Sequence, residues 1–113
     1  MVGAVKDAAA RLDALRGRVA FVEKVGHIRG DGGKGSFTFG RVDGLIRGTL
    51  LSVGVQVRDV PPMLWQSRMG CMTGGDKNVS KRKAQELFPR VKVTHGIADA
   101  LLIARYGWES LCL

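Results

Sequence analysis

Two stretches of this chain read as β-strands, and a sheet of two strands does not stand alone. Val19-Ala20-Phe21-Val22-Glu23-Lys24-Val25 is short, rich in β-branched residues and apolar on both faces at its start, the pattern of a central parallel strand. Val55-Gln56-Val57-Arg58-Asp59-Val60 alternates, and Pro61-Pro62 stops it. Between them Ser36 can N-cap a helix to about Ser52, with Phe39, Val42, Ile46, Leu50 and Val53 at helical spacing. Strand, crossover helix and strand form a βαβ unit, so the expected class is α/β with two parallel strands and flanking helices. A parallel pair needs cover on both faces and partners at its edges. The sequence supplies helices for the first need and too few strands for the second. The expectation is a single domain over residues 1–113, completed by another chain or by a segment preceding this one.

The remaining elements follow from periodicity and punctuation. Ala4 to Arg16 reads as a helix with Val5, Ala8, Leu12 and Leu15 on one stripe, ended by Gly17. Glycines 26, 30, 32, 33 and 35 predict a flexible loop. Gly40, Gly44 and Gly48 fall in one row of the long helix, where each costs about 1 kcal/mol relative to alanine. That cost implies close approach to a neighbouring backbone or to a nucleic-acid strand. Pro62 starts a short helix to Met69, and residues 73–79 form a polar loop. Ser80 caps a basic helix from Lys81 to Phe88, closed by Pro89, and a last helix runs from about Gly96 to Tyr106, terminated by Gly107. Trp65 and Trp108 are read as packing residues.

Lys and Arg total 18 against 10 Asp and Glu, a formal net charge of +8. An excess of this size in so small a chain points to a polyanionic partner, above all nucleic acid. Cys71 and Cys112 have no metal-ligand spacing and make no disulfide framework, which suits a reducing cytoplasm. No apolar run approaches the roughly 20 residues of a membrane span.

Three residues carry candidate chemistry. Glu23 interrupts an apolar strand, where a carboxylate is costly to bury unless a cation pairs with it. The alternative is a solvated place near the strand end, or a bridge to Lys or Arg. His95 and Asp99 lie four apart on the last helix and share a face; Asp99 could instead serve the helix N-terminus from the first turn. Hard oxygen ligands such as Glu23 and Asp99, converging over a sheet, suit Mg²⁺ or Mn²⁺. Two such ions activate a water and stabilise the leaving oxygen of a phosphodiester. His95 could ligate metal or assist proton transfer.

The segments Phe21-Val22-Glu23-Lys24-Val25, SFTFGRVDGLIRG from Ser36, Val60-Pro61-Pro62-Met63-Leu64-Trp65, SKRKAQELFP from Ser80 and HGIADALLIARYG from His95 resemble, in that order, the RuvC-like Holliday junction resolvases of phage and bacteria. The resemblance runs from about Val19 to Gly107. It implies an RNase H-like fold and divalent-metal-dependent nicking of four-way DNA junctions in recombination and repair, usually by a homodimer. By position, Glu23 matches the family's second carboxylate and Asp99 its last, and His95 lies near a position where members carry an acid or a histidine. Members begin with an apolar strand bearing an aspartate; here the chain opens at the helix before Glu23, and Asp7 and Asp13 lie on that helix. The resemblance therefore implies an incomplete, N-terminally truncated domain with impaired catalysis.

Lys77, Lys81, Arg82 and Lys83 cluster before the last helix, and Lys34, Arg41 and Arg47 flank the glycine row. Such residues supply phosphate contacts with strong salt dependence and little sequence readout. Phe37 and Phe39 are candidate wedges between bases at a junction centre; Phe39 is read rather as core, and Phe37 stays open between wedge and core. Two other readings stay open: a remnant that binds branched DNA or a partner chain without catalysis, and a small RNA-binding protein.

Overall fold

The computed structural model describes residues 14, 16–24, 33–72, 74 and 76–112. Among these, β1 spans Val19–Glu23, α1 Gly33–Ser52, β2 Gln56–Val60, α2 Pro62–Met69, α3 Lys77–Leu87 and α4 His95–Cys112. The two strands pair, with Gln56 N–H donating to the Arg18 carbonyl at 2.9 Å and Lys24 N–H to the Val60 carbonyl at 2.8 Å. Both partners advance together along the chain, so the pair is parallel, as the βαβ pattern predicts. The architecture is α/β, two parallel strands with flanking helices, and is consistent with an incomplete RNase H-like fold. The helix expected over residues 4–16 lies outside the described residues, apart from helical Ala14 and a turn at Arg16 and Gly17, where Gly17 has φ 81°. Most of the glycine-rich loop also lies outside them.

The chain forms two compact units, and the division falls after Ala20 in β1 and after Arg58 in β2. In the first unit α1 starts at Gly33, ahead of Ser36, and buries none of its residues. Phe39 is 48% exposed, which corrects its reading as core. Among the described residues of this unit Val55 alone is fully buried, so they give α1 little apolar core to pack on. Among the described residues nothing lies within 4 Å of a Cβ placed at Gly40, Gly44 or Gly48, so the expected close approach is not met among them. Gly54 ends α1 at φ 84°, and a Cβ there would meet the Arg16 side chain at 2.9 Å, so two constraints select glycine at one turn.

The second unit holds the apolar core. Val60, Trp65, Met69, Ala84, Ala98 and Leu102 are buried in it, and Phe21 packs against them. Pro61 is extended and Pro62 opens α2, so the chain turns from strand to helix without an unsatisfied amide at the first helical position. Gly70 closes α2 at φ 70°, its N–H donating to the Gln66 and Ser67 carbonyls. α3 begins at Lys77, because Asp76 caps it: its carboxylate accepts from Asn78 N–H at 3.0 Å. Ser80 therefore lies within the helix rather than at its cap. α3 and α4 pack closely through Ala84 and Ala98, 0% and 1% exposed. α4 runs through Gly107 to Cys112 rather than stopping at Gly107. Gly107 is an interior packing position, where an added Cβ would overlap the Phe21 ring.

Candidate active site

β1 ends at Glu23, and the next amide, Lys24 N–H, is bonded to the last carbonyl of β2. This pins the carboxylate to the strand end next to the start of α2. Trp65, one turn into α2 and 1% exposed, donates its indole N–H to Glu23 Oε2 at 3.1 Å. Glu23 is thus half-buried and held by a neutral donor. Asp99 lies beyond the first turn of α4, so it does not serve the helix N-terminus.

Glu23 and Asp99 line one cavity of about 490 Å³, together with Asp76 and Lys77 at the start of α3 and Gln66 of α2. Cys71, Met72 and Ser80 complete much of its wall. Helix α4 carries Asp99 beside α3, and α2 with the β1 end carries Glu23, so residues remote in sequence open into one space. His95 does not line this cavity. It is exposed, with Nε2 3.0 Å from Asn78 Oδ1, which ties the first residue of α4 to the first turn of α3. Burial pushes the Cys71 thiol up; a hydrogen bond with Ser80 and the Lys83 charge pull it down, and the Asp99 carboxylate pushes it further up.

The donor set suits a hard cation in part. Mg²⁺ is commonly held by one or two carboxylates plus waters and substrate oxygens, and Glu23 and Asp99 supply two carboxylates on a polar wall. Among the described residues no group of three or more His, Cys, Asp or Glu is close enough together to hold a metal ion by itself.

The chain is 35% identical over 93 residues to the chloroplastic Holliday junction resolvase MOC1 of Chlamydomonas reinhardtii. The match covers 77% of this chain and 10% of MOC1, so the chain spans about a tenth of the length of the curated relative it matches. No protein-family profile matches the chain. Similarity to a Holliday junction resolvase agrees with the family resemblance in its general sense, that of resolvases. No helix among the described residues is long and apolar enough to cross a membrane.

The basic candidates divide between the units. Lys34, Phe37, Arg41 and Arg47 lie on α1, where Phe37 is 66% exposed and the Arg41 guanidinium sits 5.9 Å from its ring centre. Arg47 pairs with Asp43 at 2.8 Å. Lys77, Lys81, Arg82 and Lys83 lie on α3; Lys77 borders the carboxylate cavity, and Arg82 and Lys83 border a small recess with Glu86 and Gly70. Trp108, expected to pack, is 58% exposed with Arg105 stacked on it at 5.1 Å, because α4 continues past the core. Sequence reading passed over Gln66 and Asp76 as cavity residues. The signal for Asp76 was present in Asp76-Lys77-Asn78, an acidic cap two residues before a polar one.

Proposed function

We propose that this chain carries part of the catalytic face of a metal-dependent endonuclease that nicks four-way DNA junctions, with Glu23 and Asp99 as metal ligands. The observation that carries the reading is the opening of both carboxylates into one cavity beside Lys77. Mg²⁺ or Mn²⁺ bound there would polarise a phosphodiester and lower the pKa of a bound water. Lys77 and the basic side chains of α3 would hold the phosphate backbone, and Lys34, Phe37, Arg41 and Arg47 would face junction DNA from α1. His95, one turn before Asp99, would assist proton transfer. The unburied apolar residues of α1 and its open glycine row support a homodimer formed through that helix. The resemblance to RuvC-type enzymes and the similarity to MOC1 point the same way.

The test combines metal binding with junction binding. Mn²⁺ binding to the purified chain, followed by the loss of free Mn²⁺ spectroscopic signal, is expected to weaken at least tenfold in Glu23→Gln and in Asp99→Asn. Gel-shift binding is expected to favour a four-way junction over duplex of equal length. With Glu23 and Asp99 as the proposed ligands and Asp76 engaged in capping α3, nicking by this chain alone is expected to be slow or undetectable. Unchanged Mn²⁺ affinity in both variants, or equal affinity for junction and duplex, would sink the reading. Robust nicking that survives Glu23→Gln would place the chemistry elsewhere.

A further inference from the structure

A buried tryptophan must find an acceptor for its indole N–H or leave it unpaired at a cost. Trp65 is almost wholly enclosed, and its acceptor is a side chain on a different element, Glu23 Oε2 at the end of β1, at 3.1 Å. The bond is geometrically set from both ends. Lys24 N–H donates to Val60 O at 2.8 Å, fixing the end of β1 against the end of β2. Pro61 and Pro62 then turn the chain directly into α2, so Trp65 stands one turn away on a rigid helix start. One carboxylate oxygen of Glu23 is occupied by the indole. Glu23 also lines the cavity with Asp99, and a carboxylate held through Oε2 keeps its second oxygen, Oε1, for another partner.

We infer that Trp65 is a positioning residue: its indole N–H holds the Glu23 carboxylate in the orientation that presents Oε1 as a cation ligand. This rests on the function proposed above and adds a residue to it. A ligating carboxylate that is free to rotate must be ordered on each binding event, and one already held by a hydrogen bond need not be. Outer partners of this kind change metal affinity by about 10- to 100-fold when removed.

The tryptophan content makes the inference directly measurable, since the chain has two tryptophans and Trp108 is exposed. In a Trp108→Phe background the remaining indole N–H resonance in a nitrogen-15 spectrum belongs to Trp65. Addition of Mg²⁺ is expected to shift that resonance saturably, and Glu23→Gln is expected to abolish the shift. Trp65→Phe, which keeps an aromatic ring and removes the donor, is expected to weaken Mn²⁺ binding about tenfold. In the Glu23→Gln background Trp65→Phe is expected to add little further loss, because the two residues act through one bond.

The resonance measurement leaves Trp65 intact, so it decides the matter even if Trp65→Phe folds poorly. An indole resonance that ignores Mg²⁺ while Glu23→Gln still weakens Mn²⁺ binding overturns the role of Trp65 and leaves the carboxylate site standing. The same holds if Trp65→Phe binds Mn²⁺ as tightly as the parent chain, or if the two substitutions are additive. No Mn²⁺ or Mg²⁺ binding sensitive to Glu23 overturns both the inference and the reading beneath it.

Discussion

Burial raises the Cys71 thiol above its ordinary value of 9.0, with Ser80 and Lys83 opposing and Asp99 reinforcing the shift. The fold therefore prefers the neutral thiol. A group whose folded pKa is raised contributes stability that is fully present below the unfolded value and is lost as pH rises through the folded one. Stability from this group is expected to hold through neutral pH and to fall above about pH 9, and Cys71→Ala is expected to flatten that alkaline limb in urea unfolding. An alkaline limb unchanged by Cys71→Ala would show that other groups set it. Glu23 illustrates the other side of residue-scale reading. Its place in an apolar strand marks it in the sequence as a carboxylate in need of a partner. That the partner is the Trp65 indole rather than a lysine or arginine follows only once the strand end and α2 are brought together.

Gly107 is the element whose role changes most between sequence and structure. A glycine after a helical stretch signals a stop, yet α4 continues to Cys112 because the missing side chain admits the Phe21 ring against the helix. Gly107→Ala is expected to lower unfolding stability by about 1–3 kcal/mol, since overpacking forces ring or backbone to move. Gly96→Ala serves as the comparison: its added Cβ would find only Thr94 Oγ1 at 3.8 Å, so the gain in helix propensity, up to about 1 kcal/mol, should appear as a modest stabilisation. Equal effects at the two positions in urea unfolding would contradict the packing described. The start of α3 teaches a related lesson. Ser80 and Asp76 are both good caps by type, and the choice falls on Asp76 because its carboxylate reaches Asn78 N–H.

At the scale of the whole molecule, a net charge of +8 governs how any nucleic acid is held. If the basic residues of α3 contact phosphates, the logarithm of junction affinity should fall linearly with the logarithm of salt, by about 0.9 per duplex phosphate neutralised. Replacing Lys81, Arg82 and Lys83 by alanine is expected to reduce that slope by about 2–3, measured from 50 to 200 mM salt. An unchanged slope would mean that these side chains face away from the DNA. The two parallel strands and their crossover helix were legible as βαβ, because β-branched runs, prolines and helical spacing are local signals.

Local chemistry, then, decides in this chain where strands and helices fall, which acids interrupt apolar segments, and that the surface is basic. Tertiary structure alone decides that Phe39 is exposed on its helix, that α4 passes through Gly107, and that Glu23, Asp99 and Lys77 share one cavity. The physical reason is that burial and convergence depend on which surfaces meet, and residues far apart in sequence meet only through the packing of β1, α2, α3 and α4.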